Sequence, residues 1–250
     1  MIAGSAVGIG AEIAKELARQ GATVALSDIN PDNGAAMLQA ITAEGGKGKS
    51  FLHDVASWDS SSALAEQVER QLGPIAILVN NAGVSKRVPL LEIPEAEWDR
   101  MLDINLKGQF LTTRAIAPHM VEQQYGRIIN LSSVTGKKGF ADFSHYCASK
   151  FGVLGLTQSL AVKFATSAIT VNAVCPGIAM TPLHDKIVEE MAAAAGTTVD
   201  EAITASMGNV QQKGPQTALD IARTVAFLVS DAAVNMTRGS YHVDGGMVKD

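Results

Sequence analysis

The chain opens on Gly4-Ser5-Ala6-Val7-Gly8-Ile9-Gly10, and this turn runs straight into Ala11-Glu12-Ile13-Ala14-Lys15-Glu16-Leu17-Ala18, a strongly helical segment. Glycines at such a junction let backbone N–H groups approach a pyrophosphate, and the positive end of the following helix favours its charge. The spacing G-x-x-x-G-x-G is not the dinucleotide fingerprint G-x-G-x-x-G, so the turn by itself identifies no ligand. Only Met1 to Ala3 stand before it. A three-residue first strand leaves central hydrogen bonds and core area missing unless the start lies upstream.

Strand-like and helical segments then alternate. Ala22-Thr23-Val24-Ala25-Leu26-Ser27-Asp28 reads as a buried strand ending in a carboxylate, eighteen positions past Gly10. An acid there accepts both hydroxyls of an adenosine ribose and repels a 2′-phosphate, which selects NAD over NADP. The competing reading is an Asp that caps the helix starting near Pro31. No Arg or Lys occupies Ser5 to Val7 or Ile29 to Asn33, which favours the cofactor role. A helix over 32–44 leads to a third strand ending Leu52-His53-Asp54-Val55, with His53 expected as a half-exposed strand-end residue. A helix near 58–72 and a fourth strand, Ile75 to Val79, come next. Glu95 to Glu122 has helical period over most of its length, with Trp98, Met101, Leu102, Ile104, Phe110 and Leu111 expected to point inward. Later come Arg127 to Ser133, a helix from Ser144, a strand from Ile169 to Val174, a helix from Ala218 to Ser230, and a last strand and turn over Gly239 to Gly246.

A chain of 250 residues, 47% apolar and 18% charged, buries a full core and fits one domain over 1–250 rather than two small ones. The net charge of -5 argues against nucleic acid and anionic membranes as partners. The first residues lack a signal-like pattern, and no apolar run approaches the roughly 18 residues needed to span a bilayer. Two cysteines, Cys147 and Cys175, imply no disulfide framework and no metal site. A reducing cytoplasm is the expected compartment.

The chemistry concentrates in Ser144-His145-Tyr146-Cys147-Ala148-Ser149-Lys150, read with Ser133 thirteen positions before the tyrosine. Tyr146 and Lys150 stand four apart on one helical face. A lysine ammonium nearby favours the phenolate, and so is expected to bring the phenol from its usual pKa of about 10 toward use near neutrality. Ser133 ends a strand-like segment, where open α/β sheets deliver side chains to a ligand crevice. His145 and Cys147 point away from Tyr146, since a helix turns about 100° per residue. A Ser-His-Asp hydrolase is excluded because no glycine-framed nucleophile turn surrounds Ser133.

This order of motifs resembles the short-chain dehydrogenase/reductase family, in its single-domain form, from Ala3 to Gly246. The glycine turn is the family's variant, although Ala3 replaces its usual Thr, and Asn80-Asn81-Ala82-Gly83 is a motif quite specific to it. The resemblance implies an α/β, Rossmann-like doubly wound parallel sheet of about seven strands with helices on both faces, its first strand here truncated. It implies a catalytic set of Asn105, Ser133, Tyr146 and Lys150, with Asn105 holding a water that links the lysine to solvent. Cofactor contacts are implied at Gly4, Ala6, Gly8 and Ile9, at Asp28 and Ile29 on the ribose, and at Asp54 and Val55 on the adenine. Asn80 is structural in this reading, whereas Asn81, Ala82 and Gly83 line the cleft. Tyr146, Lys150, Pro176, Gly177, Ile178 and Thr181 surround the nicotinamide end.

An NAD-dependent oxidoreductase interconverting a secondary alcohol and its ketone is the function so implied. Substrate contacts are expected from Ser85, Thr135, Phe143, Met180 and Leu183, with Lys86, Val134, Phe140, Ile178 and His184 nearby. That mixture suits a small diol, polyol or sugar alcohol and is similar to NAD-linked polyol and butanediol dehydrogenases. A 3-hydroxybutyrate-type enzyme is the alternative, opposed by Phe143 where those enzymes place a lysine. A 3-oxoacyl thioester reductase is another, opposed by Asp28, and a non-catalytic NAD-binding scaffold is a third. Residues 182–215 are expected to form a lid over the substrate. Thr170 replaces a family arginine at the surface, and the resemblance implies a homotetramer.

Overall fold

The structure, a computed structural model, describes residues 1–208, 210–212 and 214–248. A seven-stranded sheet forms its centre, in the order β3-β2-β1-β4-β5-β6-β7. The strands are β1 (Ile2–Ala3), β2 (Thr23–Asp28), β3 (Lys47–Leu52), β4 (Ile77–Asn80), β5 (Gly126–Leu131), β6 (Ile169–Pro176) and β7 (Ser240–Val243). Every adjacent pair is parallel. The strand order reverses between β1 and β4, so the helices connecting one half cover one face and those of the other half cover the opposite face. The expected doubly wound fold is therefore present.

The helices are α1 (Gly8–Arg19), α2 (Pro31–Ala43), α3 (Trp58–Leu72), α4 (Glu95–Leu102), α5 (Gly108–Gln123), α6 (Ser144–Phe164), α7 (Pro182–Ala195), α8 (Val199–Met207) and α9 (Ala218–Val229). Alternation along the strands builds two cores. Leu26, Val79 and Ile129 point to the side where α1 and α9 pack together, with Ile13, Leu17, Ile221 and Val225. Ala25, Leu78 and Ile128, one residue earlier in each strand, point to the side of α3 and α5, with Leu64, Val68, Ile116 and Met120. Fully buried leucines and isoleucines such as Leu78 and Ile128 contribute about 1.5–3 kcal/mol each.

β1 is two residues long, yet it pairs on both sides, Ile2 with Leu26 and Val79, Ala3 with Ser27 and Asn80. The Met1 amino group donates to Ile77 O at 2.6 Å. Burial pushes its pKa down to about 5.

Two expectations are corrected. The helical period of Glu95 to Glu122 is interrupted, because a π-turn over Asp103–Lys107 separates α4 from α5. A widened turn rotates α5 relative to α4, so no single 3.6-residue period describes both helices. Trp98 and Phe110 consequently face outward, 37% and 44% exposed, while Met101 and Leu111 are buried as expected. His53 is also not half-exposed. It is buried, its ring nitrogens 3.2 Å from Ser27 Oγ and 3.1 Å from Ser61 Oγ, because α3 begins directly beneath it.

The stretch 182–215, expected to form a lid, holds α7 and α8, which pack on each other through Val188, Ala192 and Ala202. Gly196 in the left-handed region ends α7, and a Thr198–Glu201 capping box opens α8. Asn209 and Lys213 of that segment, and Lys249 and Asp250 of the expected domain, lie outside the described residues. Among the described residues no helix is long and apolar enough to cross a membrane, and no cluster of His, Cys, Asp and Glu has the makings of a metal site.

Candidate active site

A cleft of about 660 Å³ runs along the carboxyl ends of the strands. It passes from Gly4 and Asp28 through Ala82 and Gly83 to Ser133 and Tyr146, and it ends under Thr181, Leu183 and His184. Its position at the switch between β1 and β4 is where open α/β sheets bind ligands.

The dinucleotide end is built by close packing. Gly4 has φ +71, and a Cβ on it would lie 2.6 Å from Ala82 Cα. Asn81 Nδ2 donates to Gly4 O at 2.7 Å, which ties the turn to the end of β4. Val7 caps α1 with no side-chain acceptor, so no capping side chain covers the N–H groups of the first turn, and they remain for an anion. The turn therefore fits a pyrophosphate. Asp28 Oδ2 accepts from Ala6 N–H at 3.3 Å and Oδ1 from Asn30 N–H at 3.0 Å, which orients the carboxylate and leaves lone pairs for two hydroxyls. The capping role belongs to Asn30, whose side chain accepts from Asp32 and Asn33 N–H. Gly8, Ile9, Ile29, Asp54 and Val55 line the same end. Ala6 does not line it and acts through Asp28.

Asn80 lies beneath the floor, its Nδ2 donating to Thr113 Oγ1 and Asn130 Oδ1 at 2.9 Å each, and Asn130 Nδ2 donates in turn to Thr157 Oγ1 at 3.0 Å. This buried amide network is structural, as expected of Asn80.

At the reacting end, β5 stops at Leu131, two residues short of the expected strand. Ser133 is extended and caps a 3-10 turn over Val134–Gly136, its Oγ accepting from Thr135 N–H at 3.1 Å. That turn brings the serine to a hydrogen bond with the Tyr146 hydroxyl. Lys150 is one helical turn farther along α6, with Nζ 5.7 Å from the Tyr146 ring centroid and donating to Leu131 O at 2.9 Å.

The expected pKa effect is not seen. Desolvation pushes the Tyr146 phenol up to about 12, against the smaller lowering by the Ser133 hydrogen bond. Burial likewise pushes Lys150 down to about 8. A lysine that is itself desolvated, and whose ammonium is turned to a carbonyl, gives the phenolate little support.

Asn105 sits in the π-turn. Its Oδ1 accepts from Val84 N–H at 2.8 Å, and Nδ2 is directed at Val84 O, Met101 Sδ and Ser149 Oγ. Both ends of the amide are thus engaged by the protein.

His145 is fully buried with neither ring nitrogen hydrogen-bonded, and Cys147 is buried beside it, so packing accounts for both.

Pro176, Gly177, Ile178, Thr181, Ser85, Val134, Thr135, Phe140, Phe143, Leu183 and His184 line the cleft as expected. Met180 does not. It is 42% exposed and points away, because the parallel bridge between Ala179 and Gln216 makes this stretch strand-like and alternates its side chains. Lys86 is exposed outside the lining as well. The sequence reading missed Ile187 and Met191 of α7, and Ala205 and Ser206 of α8. Leu183, Ile187 and Met191 recur every fourth residue, a helical stripe that marks one face.

A doubly wound parallel sheet whose dinucleotide cleft ends at a serine, a tyrosine and a lysine defines a nicotinamide-dependent oxidoreductase. The chain belongs to the short chain dehydrogenase family, which it matches over residues 1–192. It is 38% identical over 248 residues to the 3-oxoacyl-[acyl-carrier-protein] reductase FabG of Staphylococcus aureus, covering 99% of this chain and 96% of the relative. Among solved structures it is similar to a single-residue variant of actinorhodin polyketide ketoreductase with NADPH, at TM-score 0.95 and 31% identity, covering 98% of this chain and 96% of the other. It is also similar to sorbitol-6-phosphate 2-dehydrogenase SrlD from Erwinia amylovora, at TM-score 0.95 and 32% identity, covering 100% of this chain and 99% of the other.

Proposed function

We propose that this chain is an NAD(H)-dependent oxidoreductase that interconverts a small secondary alcohol, such as a diol, polyol or sugar alcohol, and its ketone. The observation that carries the reading is one cleft with Asp28 at one end and the Ser133–Tyr146 pair at the other. Asp28 presents a carboxylate where a 2′-phosphate would sit, and no arginine lines the cleft among the described residues. We read 1–250 as one domain with α7 and α8 as its lid.

Pro176, Gly177, Ile178 and Thr181 would hold a nicotinamide, which would accept hydride from the carbinol carbon or return it there. The substrate oxygen lies between the hydroxyls of Ser133 and Tyr146. Tyr146 removes the alcohol proton in oxidation and returns it in reduction, while Ser133 donates to the developing alkoxide. Lys150 holds the ribose of the cofactor, and Asn105 fixes the π-turn beneath it. Burial pushes the Tyr146 phenol up, so in the free site it stands protonated at neutral pH.

A second reading is supported by relatives named for 3-oxoacyl thioester reduction. It competes directly, and the cofactor separates the two. In thermal unfolding, NADH should raise the melting temperature well above any effect of NADPH, and equal or greater stabilisation by NADPH would overturn the Asp28 assignment. Tyr146→Phe should lower turnover about 10²- to 10⁴-fold while the NADH stabilisation persists. Turnover near the parent rate would remove Tyr146 from the mechanism. NADH stabilisation with no turnover of any alcohol or ketone would favour a scaffold.

A further inference from the structure

Four buried residues of α5, Gln109, Thr113, Ile116 and Met120, recur at spacings of four, three and four, which places them on the face that packs on the sheet. Ile116 and Met120 join the apolar core. Gln109 stands at the head of this stripe, in the first turn after the π-turn that holds Asn105. It does not line the cleft but lies behind its wall. Its Nε2 donates to Leu131 O at 3.1 Å, and its Oε1 is sealed with no hydrogen-bond partner among the described residues. Burying an amide with one end unpaired costs stability that a methionine of similar shape would not. The bond to Leu131 O is what the glutamine contributes.

Leu131 is the last residue of β5, one position past the end of its pairing with β4. That ladder stops at Asn80 and Asn130, and the next residue, Asn81, turns its N–H to Ala3 O on β1. The Leu131 carbonyl thus lies where the sheet divides, and two side chains donate to it, Gln109 and, at 2.9 Å, Lys150 Nζ. A carbonyl has lone pairs for both. The ammonium also stands at the cleft wall. A Cβ on Gly83 would come 3.6 Å from Nζ, and Gly83, Leu131 and Lys150 all line the cleft.

The lysine therefore has two claims on it. In the free site its ammonium is turned to Leu131 O, and holding a ribose draws it into the cleft. Were it the sole donor, that movement would leave a buried carbonyl unpaired and weaken cofactor binding by the same free energy. Gln109 keeps the carbonyl satisfied whichever way the lysine turns.

We infer that Gln109 is a positioning residue that holds Leu131 O in the lysine's stead, and so releases the Lys150 ammonium to the ribose of the dinucleotide. The inference rests on the reading that Lys150 holds that ribose.

Gln109→Met keeps the shape and removes the donor. NADH should bind this variant about tenfold more weakly than the parent in a direct titration. KM for the cofactor should rise with it, while kcat at saturating cofactor stays within about twofold. Stability of the free protein in urea should not fall, because Lys150 still serves the carbonyl there. A residue that merely filled the core would show the reverse, lost stability with NADH affinity intact. Lys150→Met supplies the control. It should itself weaken NADH binding, and adding Gln109→Met to it should weaken binding no further, while stability falls because Leu131 O then has neither donor. Gln109→Asn, a methylene too short to reach Leu131 O, should repeat the tenfold loss, and it carries the comparison if the methionine variant does not fold. NADH affinity unchanged in the single Gln109 variants overturns the role of Gln109 and leaves the Lys150 assignment standing. A further tenfold loss in the Lys150→Met background shows that Gln109 acts other than through the lysine, and overturns the inference as well. NADH binding unaffected by Lys150→Met overturns the ribose reading beneath it.

Discussion

Lys150 carries a conflict between stability and chemistry. Its pKa is pushed down to about 8 by burial, so below that value the folded state holds a costly buried charge that the unfolded chain hydrates freely. Stability from this group is therefore lost as pH falls from its ordinary value through 8. At pH 7 the cost approaches about 3 kcal/mol. Leu131 O keeps a donor without it, Gln109 Nε2 at 3.1 Å. Lys150→Met should accordingly raise stability in urea at pH 7 by about 2 kcal/mol while abolishing turnover, and a loss of stability would show that the ammonium is paired well enough to offset its burial. His53 works in the same direction at lower pH. Its pKa is pushed down to about 4, chiefly by burial, from an ordinary 6.5. The folded state resists protonation across that window, so stability present above 6.5 is lost as pH falls through 4. Unfolding free energy should drop by about 3 kcal/mol over that range, and His53→Gln should flatten the slope. An equal slope in the variant would assign the effect to other groups.

At the scale of elements, α7 of the proposed lid is tied to the loop after β4. Glu190 Oε2 on α7 accepts from Arg87 N–H at 3.2 Å, and the Arg87 side chain pairs with Asp142. Asp142 is in the left-handed region, φ +61, and the next residue, Phe143, meets the Tyr146 ring edge-on at 6.3 Å. α7 is thus latched to the segment that flanks the tyrosine. One such hydrogen bond contributes about 1 kcal/mol. Glu190→Ala should raise KM about fivefold with little loss of melting temperature, because a lid opens locally before the fold does. An unchanged KM would show that α7 is held by its packing alone. Neither contact was visible in the sequence, where Arg87 and Glu190 are far apart. The π-turn at Asn105 was equally hidden. Trp98, Met101, Phe110 and Leu111 read as one inward face, of which only Met101 and Leu111 are buried.

At the scale of the molecule, outward-facing aromatics bear on assembly. Phe110 on α5 and Phe151 on α6 are 44% and 47% exposed, and Val162 farther along α6 is 62% exposed. Two helices that pack side by side and each show large apolar groups to water form a face suited to association. We propose that these groups are covered in the tetramer that the family resemblance implies. Light scattering of the parent should give a mass four times that of the chain, and Phe151→Glu should lower it. A monomeric parent would refute the assembly.

The local chemistry was legible from residue order alone. Alternating strand and helix segments, the glycine turn, Asp28 and the Tyr146–Lys150 spacing all depend on neighbours within a few positions, and periodicity reports such relations directly. On those motifs the resemblance to the family implied the fold class and most of the residues that line the cleft. Tertiary structure decided what depends on distant groups. Whether Met180 faces the substrate was settled by the bridge to Gln216, whether His53 is exposed by the placement of α3, and which way the tyrosine's pKa moves by how deeply the cleft is desolvated. Burial is a property of everything that surrounds a residue, and a linear sequence does not specify those surroundings until the chain has folded.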